Sequence, residues 1–303
     1  MAASGRNGRR MMRAAALLLG HTLALDGCGG DDGGGGDTAT PEALTELGKQ
    51  LPAAIQQSRE IKVGSDIAYA PVEFYENGSE VRGIDPDLAN VLGEKLGVKF
   101  TFTNTTFDGI IPALKSKRFD VIMSAMSVTK EREKEISFVA YFNAGTSILV
   151  KKGNPEGIQS LDDLCGKTVA LQRGTTQEEV AKGQVAKCEA AGKPLKVLAF
   201  DRDTEALLQV KSGRASADMN DFPVAAYNAQ TSGGGNDFEV VGDQIDAGPY
   251  GIGIRKEDAE LRNAIQAALK AAIADGSYDQ VMSKWDVAQG ALKTADITGA
   301  EAN

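Results

Sequence analysis

Three short segments carry residue types able to hold a small charged molecule. In Ser124-Ala125-Met126-Ser127-Val128-Thr129-Lys130-Glu131-Arg132 the chain leaves a predicted strand, turns through small hydroxyl residues and enters a helix with an arginine in its first turn. A helix start offers free N–H groups and the positive end of the peptide dipole, and a guanidinium offers a planar two-point fork. Together they suit a carboxylate, although Arg132 alone reads as readily as a surface ion-pair residue. Arg173-Gly174-Thr175-Thr176-Gln177 also joins a strand to a helix. Its N–H groups and Thr176 could grip the same anion from the opposite side, or Thr176 could be an ordinary helix cap. Asn220-Asp221-Phe222-Pro223 ends a third strand with a carboxylate that could accept from an ammonium group or cap the next helix. One arginine for a carboxylate and one aspartate for an ammonium describe a site for a free α-amino acid. Neither site pairs a nucleophile with a base or sets up a general acid.

The composition excludes much else. The 303 residues include one histidine, His21, with 33 Lys and Arg against 42 Asp and Glu, a net charge of −9. His21 falls in an expected leader, which leaves the exported chain no imidazole for a serine triad, a Cys–His nucleophile or a histidine metal site. Neither a metal nor a cofactor is expected. The acidic excess argues against nucleic acid, because phosphate recognition needs clustered Lys and Arg.

Residues 1–28 read as an export signal: Arg6, Arg9, Arg10 and Arg13 precede an apolar run at 14–25, too short to span a bilayer. Gly27-Cys28 and the Gly/Asp run after it resemble a bacterial lipoprotein leader, in which Cys28 carries the lipid; Arg9-Arg10 also admits twin-arginine export, and the alternative is a secreted chain with a free Cys28. Residues 29–58 are expected to be a flexible tether and a short lead-in helix, with Leu44, Leu47, Leu51 and Ile55 at helical spacing over 41–59. In an exported protein Cys165 and Cys188 read as a disulfide worth ~3 kcal/mol on the chain-entropy account, the alternative being two reduced core cysteines.

Between 60 and 290 short β-branched runs alternate with amphipathic helical segments. Strands are predicted at 61–65, 98–103, 120–124, 168–171, 196–200, 217–219 and 251–254. Helices are predicted at 85–96 with Asp85 as its cap, and at 109–116, 130–135, 176–188, 204–212, 221–229, 258–275 and 278–285. Repeated βα alternation predicts an α/β fold with mostly parallel sheets flanked by helices, and two series of about a hundred residues predict two lobes. Ligands in such sheets sit at the carboxyl ends of strands, where the three segments fall.

The chain resembles the polar amino-acid family of solute-binding proteins, family 3, the receptors of bacterial ABC importers, and within it the lipoproteins of actinobacteria. The resemblance runs from Ile61 to Trp285. It is carried by Gly64-Ser65-Asp66-Ile67-Ala68-Tyr69-Ala70-Pro71-Val72-Glu73-Phe74, Gly83-Ile84-Asp85-Pro86-Asp87-Leu88, Phe107-Asp108-Gly109-Ile110-Ile111-Pro112-Ala113-Leu114, the 124–132 segment and Gly174-Thr175-Thr176-Gln177. It implies a two-lobed periplasmic-binding-protein-like (type II) fold: lobe 1 at 59–145 and 248–290, lobe 2 at 146–247, and crossing strands near 144–147 and 247–249. The tail at 291–303 is expected to be disordered.

The resemblance also implies a division of labour. Arg132 forks a ligand carboxylate with help from Ser127 and Thr176, and Asp221 holds the α-ammonium with backbone at Ser124 or Ala125. Tyr69 and Phe107 flank the ligand side chain, and Asp66 and Gln172 face its tip. Asp66 between two aromatic rings favours a basic side chain by charge pairing and cation–π contact, ahead of glutamine, whose receptors tend to carry lysine and histidine where Gln172 and Asn220 stand. Glutamate would meet Asp66 with no evident cation. The implied protein is a monomeric binding lipoprotein that delivers its ligand to the transmembrane permease. The rivals are a dehydratase of small carboxylates on the same fold and a sensor ectodomain.

Overall fold

The structure, a computed structural model, describes residues 43–300. The expected leader, Cys28 and the Gly/Asp run lie outside the described residues. The lead-in expected as a single helix is two pieces, a 3-10 turn at Gly48–Gln50 and helix α1 at Ala53–Ser58. Pro52 separates them, because its ring and missing N–H cannot continue a helix. Leu51 and Ile55 are buried and Leu44 and Leu47 pack on the same core, so this segment is sealed into the fold.

The first series runs β1 (Glu60–Ser65), a small antiparallel ribbon of β2 (Ala68–Tyr69), β3 (Glu73–Glu76) and β4 (Glu80–Arg82), then α2 (Ile84–Leu96), β5 (Lys99–Asn104), α3 (Ile110–Lys115), β6 (Val121–Ile122) and α4 (Lys130–Glu135). A long strand, β7 (Ser137–Lys151), leads to the second series: β8 (Thr168–Gln172), α5 (Thr176–Ala190), β9 (Lys196–Phe200), α6 (Asp203–Ser212), β10 (Ala217–Asp221) and α7 (Phe222–Thr231). A second long strand, β11 (Phe238–Ile254), returns to α8 (Ala259–Asp275), α9 (Ser277–Lys284) and β12 (Ile297–Thr298).

Strand order is β5-β1-β6-β11-β7-β10-β8-β9. β1 pairs in parallel with β5 and β6, and β8 with β9 and β10, while the antiparallel pair β7–β11 passes through both halves. The fold is thus α/β, two-lobed and of type II. The ladder between β7 and β11 slips between Val241 and Ile245 and again before Gly248, where the strands leave one lobe for the other. Periodicity shows neither strand at its full length. All but two of the fifteen residues of β7 are buried, so it lacks the alternation that marks a half-exposed strand.

Each lobe has its own interior. Leu88, Leu92 and Leu96 of α2 pack with α8 against β1, and α2 ends at Gly97 in the left-handed region (φ 71°), where an added Cβ would lie 2.4 Å from the Ala43 carbonyl. In the second lobe Val169, Leu171, Met219 and Cys188 pack on one face of the sheet, and Leu149, Ala170, Val210 and Phe238 on the other. The lobes also meet through rings: Phe74 lies 6.3 Å from Tyr227 and edge-on to Trp285 at 6.0 Å.

Two expectations are corrected. Asp85 does not cap α2. The cap position belongs to Gly83, and Asp85 is wholly buried in the first turn, accepting from the Tyr141 hydroxyl at 2.6 Å and the Ala125 N–H at 3.3 Å. The tail is not disordered as far as residue 300: β12 pairs with Phe138 and Val139, the Ala140 N–H bonds to the Asp296 carbonyl, and Ala295 is buried. Backbone pairing needs no apolar side chains, so the polar composition of this stretch conceals its order.

Cys165 and Cys188 form a disulfide with Cα atoms 5.0 Å apart, tying the loop before β8 to α5. Replacing both by serine should lower the unfolding free energy by ~3 kcal/mol, seen as an earlier urea midpoint in chemical denaturation; an unmoved midpoint would mean the bridge adds nothing.

Candidate functional site

All ten residues singled out from the sequence line one narrow cleft between the lobes. Asp66 follows β1, Tyr69 ends β2, Phe107 precedes α3, and Ser124, Ala125, Ser127 and Arg132 lie between β6 and α4. From the second lobe come Gln172 at the end of β8, Thr176 at the start of α5 and Asp221 at the end of β10. Carboxyl ends of parallel strands supply most of them, as an open α/β sheet requires. Among the described residues no group of three or more His, Cys, Asp and Glu is arranged to hold a metal ion.

Arg132 makes no ion pair among the described residues and is half-buried, so it is not a surface ion-pair residue. Thr129 caps α4 by accepting from the Arg132 N–H at 3.2 Å, which fixes where the side chain leaves the helix. Its guanidinium donates to the Ser127 carbonyl at 2.7 Å and, across the cleft, to the Gly174 carbonyl at 3.1 Å, and it lies 5.3 Å over the Phe107 ring. Two of its five N–H groups are thereby used, leaving the rest of the fork for an anion. Burial lowers its pKa to about 10, so it remains charged. The turn that meets it needs Gly174: φ is 75°, and a Cβ there would stand 2.9 Å from the Asp108 side chain of the other lobe. Thr175, not Thr176, caps α5 by accepting from the Glu178 N–H, so the Thr176 hydroxyl is not spent on the cap.

Asp221 occupies the cap position of α7 without making a side-chain cap. One oxygen accepts from the Tyr69 hydroxyl at 2.9 Å and the other from the Gln177 amide at 2.9 Å. Asp66 accepts from Gln172 at 2.6 Å, and its N–H donates to the Ser124 hydroxyl, which donates to Glu73 at 2.9 Å. Ala125, at φ 46°, is held in the left-handed region by the bond from its N–H to Asp85.

Glu73, Thr175 and Gln177 line the cavity and were not among the residues singled out. All three stand inside the motif stretches, but nothing in their type separates them from neighbours that pack elsewhere. Asn220, where glutamine receptors tend to carry histidine, is not among the lining residues; it is buried against Asp203, with its amide 3.4 Å from that carboxylate.

The site is strongly acidic. Burial pushes Asp66 and Asp221 up to about 6, and Asp85 and Asp203 up to about 7. Burial and the neighbouring Asp85 carboxyl carry Glu73 well above the carboxylate range.

Two α/β lobes joined by two long crossing strands, with a charged cleft at the carboxyl ends of their sheets, define a receptor for a small solute. The chain belongs to the bacterial extracellular solute-binding proteins, family 3, whose family model matches residues 61–288. It is 32% identical over 238 residues to the histidine-binding periplasmic protein of Escherichia coli (strain K12), covering 77% of this chain and 89% of that one. It is 28% identical over 297 residues to the arginine-binding protein ArgT of Corynebacterium glutamicum, covering 95% and 96% of the two chains. Among solved structures, an ancestral arginine-binding protein bound to arginine superposes with a TM-score of 0.69 at 38% identity, over 75% of this chain and 97% of that one.

The buried acids also set a pH dependence. Their folded-state pKa values lie above the unfolded value near 4, so the folded chain holds more protons, and the stability of the free protein falls as pH rises from about 4 to 8. Asp203→Asn removes one buried charge and should raise the unfolding free energy at pH 8 by at least about 1 kcal/mol while changing it little at pH 4; an equal effect at both pH values would refute this.

Proposed function

We propose that the protein captures a free basic L-amino acid, arginine in type, outside the cytoplasmic membrane and delivers it to the transmembrane subunits of an ABC importer. The observation that carries this reading is the excess of acids over cations in the cavity: with Glu73 held protonated by its burial, Asp66 and Asp221 still face one cation, Arg132. A zwitterion brings one positive and one negative group and leaves that excess uncorrected. A cationic side chain reduces it, whereas glutamate would enlarge it at the cost of burying a further like charge.

The ligand carboxylate takes the free part of the Arg132 fork, with the Ser127 and Thr176 hydroxyls and the first N–H groups of α5 beside it. The α-ammonium displaces part of the hydrogen bonding that Tyr69 and Gln177 now give Asp221. The side chain runs between Tyr69 and Phe107 to Asp66, which Gln172 orients. Each half of the ligand touches both lobes, so binding free energy is spent on holding the lobes together. The names of the relatives in Escherichia coli and Corynebacterium glutamicum, both receptors of nitrogen-rich amino acids, support the same ligand class.

Export by residues 1–28, lipid attachment at Cys28, a tether beyond it and action as a monomer complete the proposal. A glutamine receptor is the nearest alternative; a dehydratase of small carboxylates is the more distant one.

Titration calorimetry with the twenty amino acids and ornithine should give tight binding of one or more basic members, and ligand recovered after long incubation should be chemically unchanged. Tight binding of glutamate alone, or recovery of a converted product, would overturn the proposal. Arg132→Ala and Asp221→Ala should each lose about 2 kcal/mol or more of affinity, roughly thirtyfold, as expected when a desolvated charge loses its partner. Parent-like binding by either variant would remove that residue from the site.

A further inference from the structure

We propose that Asp66 exchanges a proton for the side-chain cation of the ligand, so that the receptor separates cationic from neutral side chains by the displacement of that proton. The inference rests on the basic amino-acid reading above and deepens it.

Asp66 is 4% exposed and lines the cavity. Its side-chain hydrogen-bond partner is a neutral amide. Gln172 donates to it at 2.6 Å and, from the same nitrogen, to the Asp201 carbonyl at 3.0 Å. Two acceptors on one side of the amide fix which end is NH2, so Gln172 donates to Asp66 in either protonation state. The other groups that face Asp66 are the carboxyls of Glu73, Asp108 and Asp203, and Arg202. Arg202 is exposed and makes no hydrogen bond or ion pair with it among the described residues. A carboxylate taken out of water beside other carboxyls, with no cation to pair it, is stabilised by taking up a proton.

Burial, the largest influence on this group, pushes its pKa up to about 6, within reach of the pH outside a cell. When a guanidinium or ammonium arrives, the O–H bond of Asp66 breaks, the proton leaves to the solvent buffer and the carboxylate pairs with the cation, still accepting from Gln172. A neutral side chain supplies no charge to drive that loss. Asp221 is raised similarly, but it meets the α-ammonium common to every amino acid and contributes equally to both kinds of ligand.

The test compares L-arginine with L-citrulline, which has nearly the same shape and no side-chain charge, by titration calorimetry of the full exported chain in buffers of different ionisation heat. Arginine should release up to about one proton more than citrulline at pH 5 and the same number at pH 7.5. Its affinity advantage over citrulline should grow about tenfold from pH 5 to pH 7.5, the factor set by a group that titrates near 6. Asp66→Asn should abolish both differences, and Asp66→Glu should restore a pH-dependent preference. If citrulline is too weak to titrate, the arginine proton count in the parent against Asp66→Asn gives the same answer. An affinity ratio constant with pH, or equal proton release by the two ligands at pH 5, would overturn the exchange while leaving the receptor reading intact. Failure of every amino acid to bind would overturn the receptor reading itself.

Discussion

Tyr69 of the first lobe donates its hydroxyl to Asp221 of the second across 2.9 Å, with both groups shut away from water. This contact states the constraint under which the whole site is built. Carboxyl groups are brought into a cleft between the lobes with fewer cations than acids, and each must be satisfied by neutral donors. Gln177 serves Asp221, Gln172 serves Asp66, Ser124 serves Glu73, and Tyr141 with the Ala125 N–H serves Asp85. Neutral donors hold a carboxylate in place without cancelling its charge. The cleft therefore keeps an unspent attraction for positive charge, and a site filled with arginines and lysines would have spent it on the protein itself.

The same bonds give the lobes a reason to stay in register. Two of them cross the cleft, Tyr69 to Asp221 and Gln172 to Asp66, and they are joined by the Asp221 N–H donating back to the Tyr69 hydroxyl and by Arg132 donating to the Gly174 carbonyl. Each joins a residue that lines the cleft to one on the opposite lobe. The ladder of the two crossing strands is interrupted between Val241 and Ile245, between Ile245 and Gly248, and between Tyr250 and Gly251.

Much of this was legible in the residues. Arginine in the first turn of a helix and aspartate at the end of a strand each have bland explanations, but together they describe the two ends of an amino acid, and the structure sets both on one cavity. The α/β alternation came through because α2 shows a clear apolar stripe and the edge strands are short and β-branched. What stayed hidden has physical reasons. β7 is buried on both faces and reads as a featureless apolar run, β12 is held by backbone pairing with little apolar content, and Glu73 gains its meaning only from Ser124 and Asp85, remote in sequence. Asp85 looked like a cap because an acidic residue at a helix start usually is one; here the helix turns its first residues inward, and the carboxyl is used to pin Ala125.

The ring contacts at the rim of the cleft have a consequence of another kind. Trp285 is the only tryptophan in the chain, and it stands edge-on to Phe74, which in turn meets Tyr227 of the opposite lobe. Its indole N–H is held by Asp87, a first-lobe residue, so the ring stays with that lobe while the aromatic partner beyond Phe74 belongs to the other. The chain thus carries its single tryptophan at the seam between the lobes, so its emission offers a label-free reading of that seam when a ligand is added.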